Sequence, residues 1–380
     1  MQLTPFRVAL LGTILVIAFQ IFVVQGFGEN WTMLFCSGEQ YPPPPDLVGK
    51  VYQFPDSQGF DGQFYLYIAR DFGDERGTRH FIDNPSLRWL RVLVPGLASF
   101  LSFGNPDRAT FSYIAVVWLF CFGGIWIASE LSRTWGYPAI LGIAFLAIPA
   151  VPVSLDRMMT DIALVVALLG LILALAKRSS AWVYLPLVLA PLARETGMAL
   201  VGGWVLFHLW RRDWKAVILG ALSTLPSVAW FVWVKVKFGG EAGFWFGAPF
   251  SGIFKRLIEP GIYGNIKWDL MLAQATDYLG ALGIGASFII AIALLVRGER
   301  SLLIFCAVVY TLGIACFAKE DMWGEAYSYS RTGGPVAVML ALIGVEQRRW
   351  WLVAPMLLAL PRIALQYGSV SLVAFRNLTA

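Results

Sequence analysis

Long uncharged apolar runs alternate with short charged segments along most of the chain. A transmembrane helix needs about 20 apolar residues to cross about 30 Å of hydrocarbon, and irregular backbone is not tolerated against lipid. The pattern therefore predicts an all-α polytopic membrane protein with about eleven transmembrane helices. The predicted helices lie in the runs Val8–Gly28, Ala109–Ser129, Thr134–Leu155, Ile162–Ala176, Ser179–Ala193, Thr196–Trp210, Ala216–Val234, Tyr278–Val296, Ser301–Ala318, Thr332–Val345 and Trp350–Pro361.

The composition favours the same class. Of the 380 residues, 58% are hydrophobic and 14% are charged, whereas soluble domains average about 45–50% apolar and about 25% charged residues. The net charge of +5 is scattered over short loops, so we expect no nucleic-acid partner. We expect a single transmembrane domain over residues 1–380, in which the first run stays as an anchor because no cleavage site is recognisable after it.

Short loops that carry Lys and Arg set the expected orientation, because such loops stay on the cytoplasmic side. Counting helices from them places the N-terminus inside and the C-terminus outside. Residues 28–109 then form a large first external loop and residues 235–277 a second one, with shorter external segments at 156–161 and 319–331. The cytoplasmic loops contain Arg133, Lys177, Arg178, Arg211, Arg212, Lys215, Arg297, Arg300, Arg348 and Arg349.

An apolar stretch inside the first external loop, Leu87–Phe103, needs separate treatment. If it crossed the membrane, every later loop would change side and the basic loops would face outward. We therefore expect an interfacial or re-entrant helix, with a twelfth span as the alternative. Arg88 and Arg91 lie at its start and are candidates for substrate binding.

The same loop carries the first catalytic candidate. Helical spacing of aromatic residues after Phe60 predicts an amphipathic helix in the membrane interface. Asp61 begins this helix between Gly59 and Gly62, where a carboxylate benefits from the helix dipole and a substrate can approach closely. A simple N-cap is the alternative for Asp61. Gln63 is a further candidate for substrate binding.

Two acidic residues lie between predicted helices on the outer side. Asp161 begins the next span, which holds its carboxylate on a rigid element at the membrane surface. Asp156 is five positions earlier and would not share its helix face. We consider Asp161 a catalytic candidate and Asp156 a binding candidate, with helix caps as the alternative for each.

Arg194 and Glu195 form the sharpest local signal. The apolar runs on either side have fifteen residues each and reach only about 22 Å, so both charges are expected at the depth of the outer leaflet. Charges at that depth are costly and usually functional. A mutual ion pair is the alternative.

Two later arginines, Arg331 and Arg362, could lie in the outer half of the bilayer. The guanidinium fork suits phosphate, so both are candidates for binding a substrate phosphate, although snorkelling also explains Arg331. With His80 and His208 as the only histidines, a His-based metal site is not expected. A divalent metal on carboxylates remains open.

Several segments of the first 200 residues resemble one enzyme superfamily. Together they are similar to the GT-C superfamily of multispanning glycosyltransferases, in particular to a bacterial cell-surface glycopolymer group. More distantly they resemble protein O-mannosyltransferases and lipid A aminoarabinose transferases. The segments are Asn30-Trp31-Thr32, Leu34-Phe35-Cys36, Pro42–Pro45, Tyr52–Pro55, Gly59–Asp71, Arg88–Ala98 and Leu192–Gly197.

The resemblance implies a function. It implies a polyprenyl-phosphate-linked sugar as donor, a glycan, lipid or protein hydroxyl as acceptor, and transfer at the outer face by an inverting single displacement. It also implies the inner membrane of a bacterium, with the active site on its periplasmic side. It makes Asp61 the general base and Asp161 a second acidic residue, and implies juxtamembrane helices in the first external loop. The paired acidic motif of some relatives is absent, because Gly62 follows Asp61.

Other functions remain as alternatives. A lipid or sugar transporter or flippase without transferase activity explains the spans and the intramembrane charges, but not the long polar external segment. A polymerase or ligase of lipid-linked glycans would consume a diphosphate-linked donor instead. A scaffold subunit is the remaining alternative.

Overall fold

The structure, a computed structural model, describes residues 3–179, 182–239, 247–258, 268–317, 320–324 and 326–379. Within these residues the regular structure is helical apart from two short parallel strands, β1 (Ser37–Gly38) and β2 (Gln53–Phe54). The all-α prediction is therefore confirmed for the described part of the chain. Residues 240–246 and 259–267 of the predicted second external loop lie outside the described residues.

The α-helices follow the apolar pattern closely, and each of the predicted apolar runs contains helix. Short 3-10 turns at Trp31–Phe35, Pro45–Leu47, Thr78–Phe81, Ala139–Ala147, Glu195–Gly197 and Trp350–Val353 connect several of them. The α-helices are α1 (Pro5–Gln25), α2 (Asp61–Arg70), α3 (Pro85–Arg88), α4 (Leu93–Leu101), α5 (Pro106–Thr134), α6 (Ala150–Arg157), α7 (Asp161–Ala176), α8 (Tyr184–Ala193), α9 (Met198–Trp210), α10 (Trp214–Leu222), α11 (Leu225–Phe238), α12 (Ser251–Ile258), α13 (Trp268–Val296), α14 (Leu302–Ala315), α15 (Glu320–Trp323), α16 (Ala326–Thr332), α17 (Gly334–Glu346), α18 (Ala354–Leu357) and α19 (Leu360–Thr379).

Fewer of these helices are long enough to cross a membrane than the apolar runs predict. In the described residues four pass by length and composition, at Pro5–Gln25, Pro106–Thr134, Trp214–Phe238 and Met271–Val296. Two bent pairs raise the number to six: residues 139–157, bent by 67°, and residues 350–379, bent by 43°. The other apolar helices, α7, α8, α14 and α17, have 10–17 residues. The chain thus has several apolar helices able to span a membrane.

The stretch Leu87–Phe103 forms no long helix. Its main element, α4, has nine residues, and at 1.5 Å per residue it extends about 14 Å, less than half the hydrocarbon thickness. A twelfth span over this stretch is therefore excluded. Phe100 and Phe103 at its end are exposed, by 74% and 85%.

Helix α2 lacks the exposed apolar face that the predicted interfacial helix would present to lipid. Every residue from Gly62 to Ala69 is buried, because α2 packs against α4, α5 and the turn at Trp31–Phe35. The two glycines serve this packing. A Cβ at Gly62 would lie 2.0 Å from the Arg157 carbonyl oxygen, and Gly59, with φ +70°, lies against the backbone of Gly38.

The ends of several helices converge where α2 begins. Helix α7, almost fully buried, packs between α5 and α8, and its first residue, Asp161, faces the break between α8 and α9. Helix α16, a short helix in the segment predicted as an external loop, packs against α6 and α13. These ends, together with α2 and α3, surround the candidate site.

Candidate functional site

Eight charged side chains from distant parts of the sequence form one cluster. It contains four arginines and four carboxylates, so that its formal charge is zero. All but one were predicted as site residues; the exception is Asp83. The members are Asp61, Asp83, Arg88, Arg91, Asp161, Arg194, Glu195 and Arg331.

Asp61 lies at the centre of the cluster. Its Oδ2 atom is 2.8 Å from Arg88 Nη1, 3.0 Å from Arg331 Nη2 and 3.6 Å from Arg91 Nη1. Among the described residues no side chain donates a hydrogen bond to Oδ1; the hydrogen bond from Arg331 goes to Oδ2. Asp61 is the first residue of α2, after Phe60, and its side chain caps no helix. The N-cap alternative is therefore wrong.

The arginines determine the ionisation of Asp61. Burial alone would raise the pKa of this carboxyl, but the positive charges of Arg88, Arg331 and Arg91 outweigh burial and hold the pKa well below its usual value of 3.8. Burial alone would lower the pKa of Arg88, but the negative charges of Asp61 and Asp83 outweigh burial and raise this pKa. The central carboxyl and its arginine partners are thus all charged at neutral pH.

Two of the arginines are held in fixed orientations by other acids. Arg88 donates from Nε and Nη2 to the two oxygens of Asp83, at 2.9 and 2.6 Å. Arg91 donates to both oxygens of Glu195, at 2.8 and 2.7 Å, and to the Tyr65 hydroxyl at 2.8 Å. Two-point contacts fix the plane of a guanidinium, which leaves the Nη1 atoms facing Asp61.

The second predicted catalytic acid, Asp161, binds two other arginines. Arg194 donates to its Oδ1, and Arg331 donates from Nε to its Oδ2 at 3.0 Å. Arg194 also donates to Thr332 Oγ1 at 3.0 Å. The charged groups of Arg194 and Glu195 come no closer than 3.9 Å, between Arg194 Nε and Glu195 Oε1. A mutual ion pair is therefore not the main contact of Arg194 and Glu195. Arg331, which binds both acids, links Asp161 to Asp61.

The cluster lines a cavity of 650 Å³, which we call the polar cavity. Gln63 also lines it, while its side chain accepts from the Gly38 N–H at 3.2 Å and donates to the Gln58 carbonyl at 2.9 Å. Such a volume accommodates a sugar phosphate. The lining residues are Tyr41, Gln58, Gly59, Phe60, Asp61, Gln63, Phe64, Asp83, Asn84, Leu87, Arg88, Arg91, Arg194, Glu195, Met322, Gly324, Ser328, Arg331 and Thr332.

No protein-family model, curated protein or solved structure matches this chain.

Asp156 lies apart from the cluster. Its Oδ2 is 3.4 Å from Nε of Arg157, and it borders a second cavity of 470 Å³ between α1, α6 and α19, which we call the apolar groove. The groove is lined by Leu15, Val16, Phe19, Gln20, Val23, Leu34, Leu146, Pro152, Leu155, Asp156, Leu360, Ile363, Ala364 and Tyr367.

Arg362 is also separate from the polar cavity. Its Nε lies 3.3 Å from Asp277 Oδ1, and Arg256 Nη2 lies 3.8 Å from Asp277 Oδ2. Asp277 belongs to α13, one residue before the start of the predicted span. The guanidinium of Arg362 also stacks on Tyr327. Arg362 thus belongs to a second buried ion cluster.

A divalent metal finds no obvious ligand set in the described part of the chain. No group of three His, Cys, Asp or Glu side chains there is arranged to hold a metal. The acids of the polar cavity already bind arginines, which would have to move before these carboxylates could act as ligands.

Sequence reasoning missed three contributors to the site. Asp83 and Tyr65 hold the arginines in place, and Thr332 binds Arg194. Asp83 and Tyr65 lie in segments whose composition resembles ordinary loop and core, so no local signal distinguishes them. Only the arginines that they bind, identified by their position beside apolar runs, were visible in the sequence.

Proposed function

We propose that the chain is a membrane glycosyltransferase that moves a sugar from a polyprenyl-phosphate carrier to an acceptor hydroxyl at the outer, periplasmic face of a bacterial inner membrane. The proposal includes the GT-C type of architecture that the sequence resembles, with about eleven spans and the N-terminus in the cytoplasm. The acceptor is a glycan, a lipid or a protein.

The observation that carries the proposal is the arrangement around Asp61. Asp61 lines the polar cavity, and three guanidinium groups hold its Oδ2, while no described side chain donates a hydrogen bond to its Oδ1. A fixed carboxylate with one open oxygen is suited to accept a proton. Guanidinium groups beside it are suited to stabilise a departing phosphate.

The proposed reaction is a single displacement. The acceptor oxygen attacks the anomeric carbon and passes its proton to Asp61 Oδ1. The bond between that carbon and the phosphate oxygen breaks, and the electron pair leaves with the phosphate, beside Arg88 and Arg331. The configuration at the anomeric carbon inverts, and the products are a glycoside and free polyprenyl phosphate.

The low pKa of Asp61 has to rise for this role, because a carboxylate held by three arginines is a weak base. A bound donor phosphate would bring negative charge beside Arg88, Arg91 and Arg331. This charge offsets the effect of the arginines on Asp61 and raises its pKa. Donor binding would therefore prepare the base for the acceptor.

The apolar groove supplies a place for the carrier lipid. Its lining is almost entirely hydrocarbon, and burying apolar surface contributes about 25 cal/mol per Å². A polyprenyl chain in this groove and a sugar in the polar cavity would place the phosphate between them.

Release of free polyprenyl phosphate by the purified protein tests the proposal. With a radiolabelled polyprenyl-monophosphate sugar and an acceptor extract, we expect sugar transfer and release of the carrier in equal amounts. Movement of an intact donor across a vesicle membrane without release would indicate the transporter instead. Consumption of only a diphosphate-linked donor would indicate the polymerase or ligase.

A further inference from the structure

Three uncharged residues that line the polar cavity, Tyr41, Gln58 and Asn84, carry polar side-chain groups outside the cluster of charged side chains. Within the described part of the chain, no hydrogen bond uses the Tyr41 hydroxyl, the side-chain amide of Gln58 or Nδ2 of Asn84. Gln58 is exposed, and Tyr41 and Asn84 are partly exposed. We call these three residues the neutral subsite. Its polar groups can therefore bind a ligand in the cavity.

The Tyr41 ring is supported from below by a buried ring. Tyr41 and Phe64 meet edge to face, with ring centres 5.5 Å apart and an interplanar angle of 88°. Phe64 is only 3% exposed, so it fixes the position of its partner. The Gln40 N–H donates to the Ser57 carbonyl at 3.1 Å, which brings Tyr41 beside Gln58. An aromatic surface and an amide thus lie together at the cavity.

Asn84 adds a second amide, whose orientation is fixed. Its Oδ1 accepts from the Leu87 N–H at 3.0 Å and from the Ser86 hydroxyl at 2.9 Å. Two contacts on the oxygen hold the plane of the amide and leave both hydrogens of Nδ2 to donate. Asn84 therefore presents donors in a defined direction.

The neutral subsite lies on the Arg88 side of the central carboxylate. The Asn84 N–H donates at 2.7 Å to Asp83 Oδ1, and Asp83 binds Arg88. The Arg88 guanidinium carbon lies 5.4 Å from the centre of the Phe64 ring, against which Tyr41 packs. A ligand on these residues is thus close to the proposed base.

The proposed carrier lipid approaches the central carboxylate from a different element. Arg331 of α16 contacts the carboxylate, and α16 packs against α6. Asp156 of α6 lines the apolar groove. A donor whose chain occupies the groove therefore reaches the carboxylate beside α16. This leaves the neutral subsite to the acceptor.

The composition of the neutral subsite matches a sugar ring. One face of such a ring consists of C–H groups, which the negative face of an aromatic ring attracts, and its hydroxyls both donate and accept. A lipid alcohol needs a hydrocarbon lining, which the apolar groove supplies instead. An extended peptide pairs with the edge of a strand, and the strands within the described residues, β1 and β2, have two residues each.

We propose that the acceptor is a glycan whose terminal sugar ring packs on Tyr41, while Gln58 and Asn84 bind its hydroxyl groups. This inference rests on the proposed function and deepens it, because it names the class of acceptor. One hydroxyl of the ring faces Asp61 and gives its proton to Oδ1. The oxygen of that hydroxyl forms the new bond to the anomeric carbon of the donor sugar, and the phosphate oxygen leaves with the electron pair.

Linkage analysis of the transfer product tests the acceptor class. The product is formed from a radiolabelled polyprenyl-monophosphate sugar and an acceptor extract, and permethylation identifies the hydroxyl that carries the transferred sugar. We expect a hydroxyl of another sugar. Release of the label by mild alkaline elimination from Ser or Thr would overturn the inference, as would label on glycerol or another lipid alcohol.

A titration with the purified acceptor glycan tests the residues. Tyr41→Leu should raise the KM for the glycan by about tenfold and leave kcat and the KM for the donor unchanged. Tyr41→Phe keeps the ring and should raise this KM by less. Tyr52→Leu is the matched control, because Tyr52 packs on Phe27 and Phe54 outside both cavities, and it should keep the wild-type KM.

The outcomes separate this inference from the proposed function. An unchanged KM in a folded Tyr41→Leu protein contradicts the role of the ring. If this variant does not fold, Gln58→Ala at an exposed position replaces it, with an expected rise in KM of about fivefold, and an unchanged KM contradicts the subsite. Transfer to a protein or lipid hydroxyl contradicts the inference alone. A wild type that transfers sugar to no acceptor contradicts the proposed function as well.

Discussion

Asp61 uses one oxygen for all three of its arginine partners. A carboxylate that only had to neutralise buried charge would gain more by sharing its two oxygens among them. Concentrating the closest contacts on Oδ2 fixes the group, and the side chain, which lines the polar cavity, retains 21% exposure. Rigid placement with an open oxygen is what proton transfer requires.

The ionisation of Asp61 predicts how stability depends on pH. In the folded protein the arginines lower the pKa of the Asp61 carboxyl below its ordinary value of 3.8. The ionised Asp61 therefore stabilises the fold at any pH above 3.8. This contribution declines as the pH falls below 3.8 toward the lowered pKa of the folded state. Asp61→Asn lacks it throughout.

Thermal unfolding of both proteins between pH 7 and pH 3 measures this effect. We expect the wild type to have the higher midpoint at neutral pH and the difference to shrink in the most acidic samples. A difference that stays constant over the whole range would mean that Asp61 has no lowered pKa.

At the scale of secondary structure, the site forms where helices begin or break. Asp61 and Asp161 each begin a helix, and Arg194 separates α8 from the turn before α9. These positions could be predicted, because a charge that interrupts an apolar run is visible in the sequence. Their partners could not, since Arg91 and Glu195 are 104 positions apart and Asp61 and Arg331 are 270 apart.

Arg362 illustrates the opposite case. The apolar pattern starts a span at Tyr278 and leaves Asp277 in a loop, whereas α13 begins at Trp268 and contains it. A carboxylate buried inside a helix then accepts Arg362 and Arg256 as partners. Hydropathy excludes charged residues from spans, so it could not predict a partner for Arg362 within one.

The apolar pattern could not predict the lengths and bends of the helices either. The run Thr134–Leu155 appeared as one span, but it contains a 3-10 turn and α6, bent by 67° relative to each other. The bend brings the end of α6 to α2. A sum of hydropathy values carries no information on such a bend.

The close packing of α2 on α6 predicts a strong effect of one methyl group. Gly62→Ala should lower the unfolding free energy by about 1–3 kcal/mol, the usual range for overpacking, because its Cβ would meet the Arg157 carbonyl. Gly123→Ala in α5 is the matched control, since a Cβ there meets nothing within 4 Å.

Denaturation of both glycine variants provides the comparison. The control should match or exceed the wild type, by up to about 1 kcal/mol, because alanine is the better helix former. Equal stability of Gly62→Ala and Gly123→Ala would show that α2 does not depend on close contact with α6.

For the whole molecule, the relation between the two cavities is the main feature. The polar cavity is built largely from the predicted first external loop, and the apolar groove runs along α1 and α19. The two approach each other at Arg157, which follows Asp156 of the groove and stacks on Phe60 of the cavity. An enzyme that faces a compartment without nucleotide sugars needs a donor that is already activated and held in the membrane. A polar site next to a groove for hydrocarbon meets that need.

The central claim, that Asp61 is the base of a sugar transfer, is tested most directly by one paired assay. Release of polyprenyl phosphate from a labelled donor is measured for the wild type, Asp61→Asn and Asp46→Asn. Asp46 lies in the same segment, the predicted first external loop, where it binds Arg70 outside both cavities and is 48% exposed. We expect Asp46→Asn to release the carrier at the wild-type rate and Asp61→Asn to be slower by about 10²-fold or more. Wild-type release by a folded Asp61→Asn protein would contradict the account.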